Sequence, residues 1–260
     1  MSVSITLTFH GLTEQHGCGS LPVSLAAEKY IVDSELFRYA VEKIAKVESC
    51  IVGEIPDKES GEWSVLSFDD GLISDYEIAF PILNEFGVKA TFFITANNVG
   101  QPGYLKWQQI NEMVVAGMEI GSHGLTHNYL PQMSDSNIES ELIDSKSIIE
   151  QAIGVEIFSF APVGGHFQRR ILRMASQAGY KVFATMAPGI NDNYSRSRKM
   201  YLIRRNHIQK HHNQQYIDSL LKKSTIPLFV NRVRYEILNL PKKILGLKRY
   251  DQLKNRLLYF

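Results

Sequence analysis

The sequence predicts an α/β fold in which parallel strands alternate with covering helices. Short apolar runs rich in β-branched and aromatic residues recur along the chain, and segments with apolar residues at helical spacing lie between them. The run at residues 90–94 is typical of a strand that is covered on both faces of a parallel sheet. About seven strands are expected, so an open doubly wound sheet and an incomplete barrel both agree with the pattern.

The predicted elements follow one another in regular order. Strands are expected at residues 5–9, 65–68, 90–94, 118–121, 155–160, 180–185 and 200–204. Helices are expected at residues 35–47, 75–86, 107–116, 135–152, 167–177 and 213–223. Capping residues such as Asp33 and Ser34 start these helices, and glycines such as Gly87 and Gly179 end them. Pro81 lies inside the second helix and either kinks or splits it.

The composition is that of a folded protein without a membrane-spanning segment. Apolar residues make up 44% of the 260 residues, which allows a sizeable core and excludes a disordered chain. The sequence has no apolar run of about 18 residues, and its start lacks a basic region followed by an apolar stretch. Nothing marks Cys18 and Cys50 as a disulfide pair. We therefore expect a cytoplasmic protein.

The charge is unevenly distributed. The net charge is +1, but residues 228–260 hold eight Lys or Arg and two acids, leaving 20 basic and 25 acidic residues in the rest of the chain. We therefore expect an α/β domain over residues 1–227 and a basic amphipathic tail over residues 228–260. Such a tail either lies on the anionic inner membrane surface or packs on the domain with a solvated basic face. Nucleic acid is not an expected partner, because no binding fold accompanies the charge.

Two adjacent carboxylates follow one predicted strand. Asp69 and Asp70 come directly after the apolar run at residues 65–68, and Gly71 then breaks the strand. Neighbouring side chains of a strand point to opposite faces, but past the strand end the backbone can turn, so both acids can reach one cleft. This arrangement suits one acid as a metal ligand and the other as a base. The alternative is a solvated Asp-Asp-Gly turn.

Two histidines follow another predicted strand. His123 and His127 are four residues apart, and one helical turn or a tight loop puts both imidazoles on one side. Neutral imidazole is a common ligand of zinc and similar divalent ions. Two histidines at this spacing with no other ligand nearby, however, more often lie on the surface of a helix. Together with the two acids, the histidines supply three ligands and a spare carboxylate. Catalytic zinc sites use three protein ligands and leave one position open.

These two clusters resemble the motifs of a known family. Residues 67–71, Ser-Phe-Asp-Asp-Gly, are similar to the first motif of the polysaccharide deacetylases, which is usually written Thr-Phe-Asp-Asp-Gly. Residues 122–127 are similar to the second motif of these proteins, which are also called the NodB homology domain or carbohydrate esterase family four. The resemblance runs from about Phe9 to His207. It implies a distorted, incomplete (β/α) barrel of about seven parallel strands, with the chemistry at the carboxyl ends of the strands.

The resemblance also implies a set of roles. Asp70, His123 and His127 correspond to the metal ligands, and Asp69 corresponds to the general base. Zinc is the first expected metal, and cobalt, nickel or manganese would also suit three nitrogen and oxygen ligands. The implied reaction is hydrolysis of an acetyl group from an N-acetylated sugar of a polysaccharide or glycolipid precursor. Because the export signal is missing, we expect a substrate that is located on the cytoplasmic side.

The sequence departs from the family at two places. The third motif usually reads Arg-x-Pro-x-Gly, and here Phe160 stands where the arginine that orients the base would be. The late Leu-x-His, whose histidine protonates the leaving amine, has no counterpart after residue 225. His207 and His10 are candidate replacements, because the first and last strands of a barrel are neighbours, and His166 is a weaker one. These departures leave open an alternative function, a catalytically silent protein that binds glycan or a biosynthetic partner.

Overall fold

The structure is a computed structural model that describes residues 2–14, 28–58, 60–165, 168–191, 196–197 and 200–245. His166, one of the three candidate proton donors, lies outside these residues. The strands are β1 Ser2–Phe9, β2 Leu12–Thr13, β3 Val32–Asp33, β4 Gly61–Phe68, β5 Thr91–Ile94, β6 Glu119–Ser122, β7 Ser159–Phe160, β8 Val182–Ala184, β9 Ile190–Asn191, β10 Arg196–Ser197, β11 Met200–Ile203 and β12 Asn206–His207. The α-helices are α1 Ser34–Ile44, α2 Phe80–Phe86, α3 Trp107–Val115, α4 Asp135–Ile153, α5 Arg169–Gln177, α6 Gln214–Leu221 and α7 Thr225–Leu245.

The main sheet is a nearly closed barrel. Its parallel strands are hydrogen-bonded in the order β11-β8-β7-β6-β5-β4-β1-β12, while β10 and β9 pair antiparallel with β11 and β1. β11 lies at one edge of this series and β12 at the other, and only Arg204 and Arg205 separate them in sequence. The chain therefore passes from one edge of the sheet to the other at Arg204 and Arg205.

This architecture confirms the predicted distorted (β/α) barrel. Among the described residues, the parallel series contains eight strands rather than about seven, because β12 is a separate two-residue strand. A strand of this length is too short to produce a periodic sequence pattern. The strand expected at residues 155–160 is likewise reduced to Ser159–Phe160. The neighbour of β1 is β12, with Thr8 opposite His207, whereas the strand predicted as the last one, β11, pairs with β8 and β10.

Aromatic residues align the ends of the central strands. Phe9, Phe68 and Phe92 lie side by side in the parallel register of β1, β4 and β5. Their rings stack, with centroids 5.6 Å apart between Phe9 and Phe68 and 4.8 Å apart between Phe68 and Phe92. All three side chains are completely buried, so their packing fixes the strands against sliding. The residues that follow these strands therefore emerge at one edge of the barrel.

The helix that follows the Asp-Asp motif is interrupted as Pro81 suggested. A π-helical turn covers Asp75–Ala79, and α2 then begins at Phe80 with Pro81 in its first turn. Ala79 and Phe80 both have helical dihedrals, and the amide of Phe80 donates to the carbonyl oxygen of Asp75, so the π-helical turn passes into α2 without leaving the helical conformation. π-Helical turns often occur at functional sites.

The C-terminal segment is more regular than its sequence suggests. Pro241 and Gly246 interrupt the amphipathic pattern, yet α7 continues through Pro241 to Leu245. Leu228, the first residue of the predicted tail, is buried in the barrel core. The division at residue 227 stays a prediction. Of the helices that the described residues form, none combines the length and the apolar character needed to cross a bilayer.

Candidate active site

The turn after β4 brings both acids of the motif into one cleft. Asp70 has a φ of 80° and Gly71 a φ of 73°, so the chain reverses sharply at the strand end. A Cβ atom on Gly71 would lie 3.0 Å from Cγ2 of Ile94, and its φ is one that side chains disfavour, so glycine is required here. Asp69 is buried at this turn, and Asp70 is partly exposed.

Asp70 and the two histidines form a compact group. Oδ1 of Asp70 lies 3.3 Å from Nε2 of His123 and 3.0 Å from Nε2 of His127. One ligand atom from each residue lies within 4.8 Å of the others. His123 is buried, whereas the His127 side chain is 41% exposed, so the group is open on one side. The structure thus brings together the three metal ligands that the resemblance implied.

The hydrogen bonding of His123 suits a metal ligand. Nδ1 of His123 lies 2.7 Å from the carbonyl oxygen of Ala161, to which only a protonated nitrogen can donate. In the neutral ring, Nε2 therefore presents a lone pair toward the Asp70 carboxylate. Two acceptors that face each other at this distance need a cation between them. Burial lowers the pKa of His123, but Asp70 and Asp69 outweigh burial and raise it, so a proton can take this place when no metal is bound.

Asp69 is held by an arginine that the sequence analysis did not identify. Nη1 and Nη2 of Arg205 donate to Oδ1 and Oδ2 of Asp69 at 2.5 and 2.9 Å. Both side chains are almost completely buried. Nε of Arg205 donates to the carbonyl oxygen of Thr185 at 3.1 Å, and the guanidinium carbon lies 5.2 Å from the centroid of the Phe93 ring. Burial opposes ionisation of Asp69, but Arg205 and the nearby His123 hold its pKa well below its usual range.

Arg205 occupies the gap between β11 and β12, far from the expected third motif. Phe160, at the position where the family has arginine, is a core residue whose ring packs against Tyr180 and Phe183. The guanidinium that orients Asp69 therefore comes from a different strand end. The signal in the sequence was an arginine directly after the last predicted strand, but nothing local distinguished Arg205 from the neighbouring Arg204.

Two candidate proton donors lie beside the Asp69–Arg205 pair. Ring atoms of His10 and His207 and an oxygen of Asp69 lie within 4.8 Å of one another, and His10 stacks on Tyr30 with ring centroids 4.6 Å apart. Burial lowers the pKa of both histidines, strongly so for His207. Both ring nitrogens of His207 are buried without a hydrogen-bond partner among the described residues, whereas for His10 this holds only for Nδ1. Of the four ring nitrogens, only Nε2 of His10 is thus not a buried atom without a partner.

A third buried acid lies near the two motif carboxylates. Asp75, in the π-helical turn, is completely buried, and neither of its carboxyl oxygens has a hydrogen-bond partner among the described residues. Burial raises the pKa of Asp75 well above its usual value, and the charges of Asp70 and Asp69 raise it further. Asp75 is the first residue of the helix predicted at residues 75–86, where an acid is common, so no local pattern in the sequence indicates that it is buried.

Comparisons with known proteins match part of this chain to the polysaccharide deacetylases. The family model for polysaccharide deacetylases matches residues 57–183. The Bacillus subtilis protein YxkH, whose name assigns it only provisionally to these deacetylases, is 31% identical over 150 residues, which are 57% of this chain and 53% of YxkH. The peptidoglycan-N-acetylglucosamine deacetylase of Bacillus cereus is 30% identical over 132 residues, which are 50% of this chain and 59% of that enzyme. The chain thus spans little more than half the length of these relatives.

Solved structures share the fold. The Streptococcus pyogenes deacetylase PplD, solved in complex with acetate, superposes with a TM-score of 0.72 at 23% identity and covers 85% of this chain and 97% of its own. The polysaccharide deacetylase BC0361 from Bacillus cereus superposes with a TM-score of 0.73 at 22% identity, over 84% of this chain and 69% of its own. The two motifs lie on one edge of the barrel, and the part of the chain that contains them, residues 57–183, belongs to the polysaccharide deacetylase family.

Proposed function

We propose that this protein is a metal-dependent hydrolase that removes the acetyl group from an N-acetylated sugar of a polysaccharide or glycolipid precursor. One observation carries the proposal. The Asp70 carboxylate faces two imidazole nitrogens within 3.3 Å, and a second carboxylate, Asp69, is held beside this group by a bidentate arginine. The proposal also rests on the family, whose named relatives include a peptidoglycan deacetylase and chitin deacetylases.

Asp70, His123 and His127 would hold the metal ion. A divalent ion bound there would polarise the acetyl carbonyl and lower the pKa of a bound water. Zinc suits one carboxylate and two imidazoles best, and cobalt, nickel or manganese would also fit. The exposed side of His127 leaves room for the sugar to approach.

Asp69 is the proposed general base. Its low pKa keeps it ionised throughout the neutral range, and Arg205 binds both carboxylate oxygens, which fixes the plane of the carboxylate. Asp69 accepts a proton from the attacking water as the water oxygen forms a bond to the acetyl carbon. Arg205 acts through Asp69 and is therefore a positioning residue.

His10 is the proposed proton donor to the departing nitrogen. It lies between Tyr30 and His207 and beside Asp69, and its lowered pKa leaves it neutral until it takes up the proton that Asp69 has accepted from the attacking water. Breaking the C–N bond requires a proton on the nitrogen, and the products are acetate and the free amine of the sugar. His207 is the second candidate, with both ring nitrogens buried.

The test combines metal content with acetate release. We expect the purified protein to hold about one equivalent of divalent metal and to release acetate from N-acetylhexosamine oligomers or lipid-linked sugars. Asp70→Asn should lose both, because an amide is a weak metal ligand, while the exposed Asp144→Asn on α4 serves as a matched control. Metal binding without acetate release from any substrate would favour the alternative, a silent protein that binds glycan. Failure of the unaltered protein to bind metal would refute the assignment of the ligands.

A further inference from the structure

The C-terminal helix exposes a continuous apolar stripe. Ile226, Phe229, Val230, Val233, Ile237 and Leu240 form this α7 stripe, and all six are exposed. Apart from the adjacent Phe229 and Val230 they are three or four residues apart, which puts all six on one face of α7. Ile226 is 77% exposed, Phe229 64% and Ile237 62%. An apolar face of this length in contact with water indicates an interaction surface.

The barrel does not need this face, because α7 is attached by another one. Leu228 is buried in the barrel core, and Nδ2 of Asn231 donates to the hydroxyl oxygen of Tyr216 on α6 at 2.6 Å. Both residues lie between members of the α7 stripe in sequence and point away from it. The helix is therefore fixed to the domain on one side and presents the stripe on the other.

Arginines flank the α7 stripe. Arg232 and Arg234 are exposed, and they stand one residue before and one residue after Val233. Each step along a helix turns the side chain by about 100°, so the two guanidinium groups lie on opposite flanks of the stripe. Residues 228–260 as a whole carry eight basic and two acidic residues. A partner that fits this surface offers an apolar layer beneath a negatively charged one.

We propose that α7 lies in the plane of an anionic lipid bilayer, with the α7 stripe inserted among the acyl chains and Arg232 and Arg234 at the headgroups. Pairing of the stripes of two copies would bring the arginines of both together, and in the described part of α7 only one acid, Glu236, would offset them. The proposal concerns a surface outside the catalytic cleft and does not depend on the deacetylase activity.

Sedimentation of the full chain with vesicles tests the proposal. We expect the protein to pellet with vesicles of phosphatidylcholine and phosphatidylglycerol, and at least about tenfold less with phosphatidylcholine alone or in high salt. The double variant Phe229→Asp, Ile237→Asp should partition at least about tenfold less into the anionic vesicles, because it places charge in the stripe. Arg232→Glu with Arg234→Glu should give a loss of similar size. Val115→Asp with Val155→Asp is the matched control, since both valines are exposed elsewhere on the domain.

Equal pelleting of the stripe variant and the unaltered protein would overturn the proposal, as would equal pelleting with neutral and anionic vesicles. Absence of the unaltered protein from every pellet would also overturn it. Sedimentation velocity supplies the other decisive result. The unaltered protein could be a dimer and the stripe variant a monomer, with neither protein binding vesicles. The α7 stripe would then be the contact between two copies of the chain. Acetate release from a soluble oligomer should not differ among these variants. A failure of the membrane proposal can therefore be distinguished from a failure of the proposed deacetylase function.

Discussion

At the scale of single residues, the candidate site is an arrangement of buried and partly exposed charges that compensate one another. Asp69 is paired with Arg205, and Asp70 faces His123 and His127. A buried carboxylate without a partner is costly, so each of these acids depends on its neighbour. The pairing also separates the roles of the two acids. Arg205 occupies both carboxylate oxygens of Asp69, while Asp70 faces the two imidazoles that would share the metal with it.

Arg205→Lys tests the pairing of Asp69. Lysine keeps the charge but cannot bind both carboxylate oxygens in the fixed geometry of a guanidinium. We expect kcat for acetate release to fall by about 10²-fold with little change in KM, because a misplaced base affects the chemical step more than binding. The acid limb of the pH profile should move to higher pH as the pKa of Asp69 rises. The neighbouring Arg204→Lys is the control, and a pure KM effect in Arg205→Lys would argue against a positioning role.

Asp75→Asn tests the third buried acid. The folded pKa of Asp75 lies well above its usual value of 3.8, so above that pH the unfolded chain loses a proton that the folded chain keeps. Asp75 therefore lowers stability as pH rises from 3.8 toward its folded pKa. Asparagine has nearly the same shape and cannot ionise, so the variant should unfold at higher temperature than the unaltered protein at pH 8, with a smaller gain at pH 5.

Thermal unfolding at the two pH values measures this difference, with Asp144→Asn as an exposed control. A variant that is less stable than the unaltered protein at pH 8 would show instead that Asp75 is ionised and partnered in the folded state.

At the scale of elements, the part of the site that could be predicted from sequence is the part that is local. Asp69 and Asp70 are adjacent, and His123 and His127 are four residues apart, so each pair is a short motif at one strand end. The contact between Arg205 and Asp69 spans 136 residues and depends on how the barrel closes. No pattern near Arg205 could predict it, because a two-residue link and a two-residue strand have no periodicity.

The same reasoning explains what was uncertain about the tail. The alternation of basic and apolar residues predicted an amphipathic segment but not which face the domain would cover. Leu228 and Asn231 are among the contacts that fix α7, and neither is distinguished in the sequence from the apolar and polar residues beside it. Tertiary packing, rather than local propensity, therefore decides that the α7 stripe is exposed.

Asn206→Ala tests the element that connects the two edges of the barrel. Oδ1 of Asn206 accepts from the amide of Gly189 at 3.1 Å, and Nδ2 donates to the carbonyl oxygen of Gly189 at 2.9 Å. Asn206 is buried, so alanine leaves these backbone groups without their partner and should cost about 1–3 kcal/mol of stability. Because Asn206 lies between Arg205 and His207, acetate release should fall as well. Chemical denaturation measures the first effect, and unchanged stability with lost activity would contradict the structural role.

At the scale of the whole molecule, the barrel gathers at one edge residues that are scattered along the sequence. His10 follows β1, Asp69 follows β4, His123 follows β6 and Arg205 follows β11. These strands are parallel, and their carboxyl ends meet at the same edge. A ligand that binds this edge holds several strands together at once, so metal binding and global stability should be coupled.

Metal addition to the stripped protein measures this coupling. A ligand that binds only the folded chain stabilises it by about 2.7 kcal/mol when present at 100 times its Kd. For a chain of this size, that gain corresponds to a rise in Tm of roughly 5–11 °C. We expect this rise on adding zinc to the unaltered protein and to Asp144→Asn, and no rise in Asp70→Asn. An equal rise in the Tm of Asp70→Asn would show that the metal binds elsewhere. In this variant only the imidazoles of His123 and His127 remain of the group of three ligands.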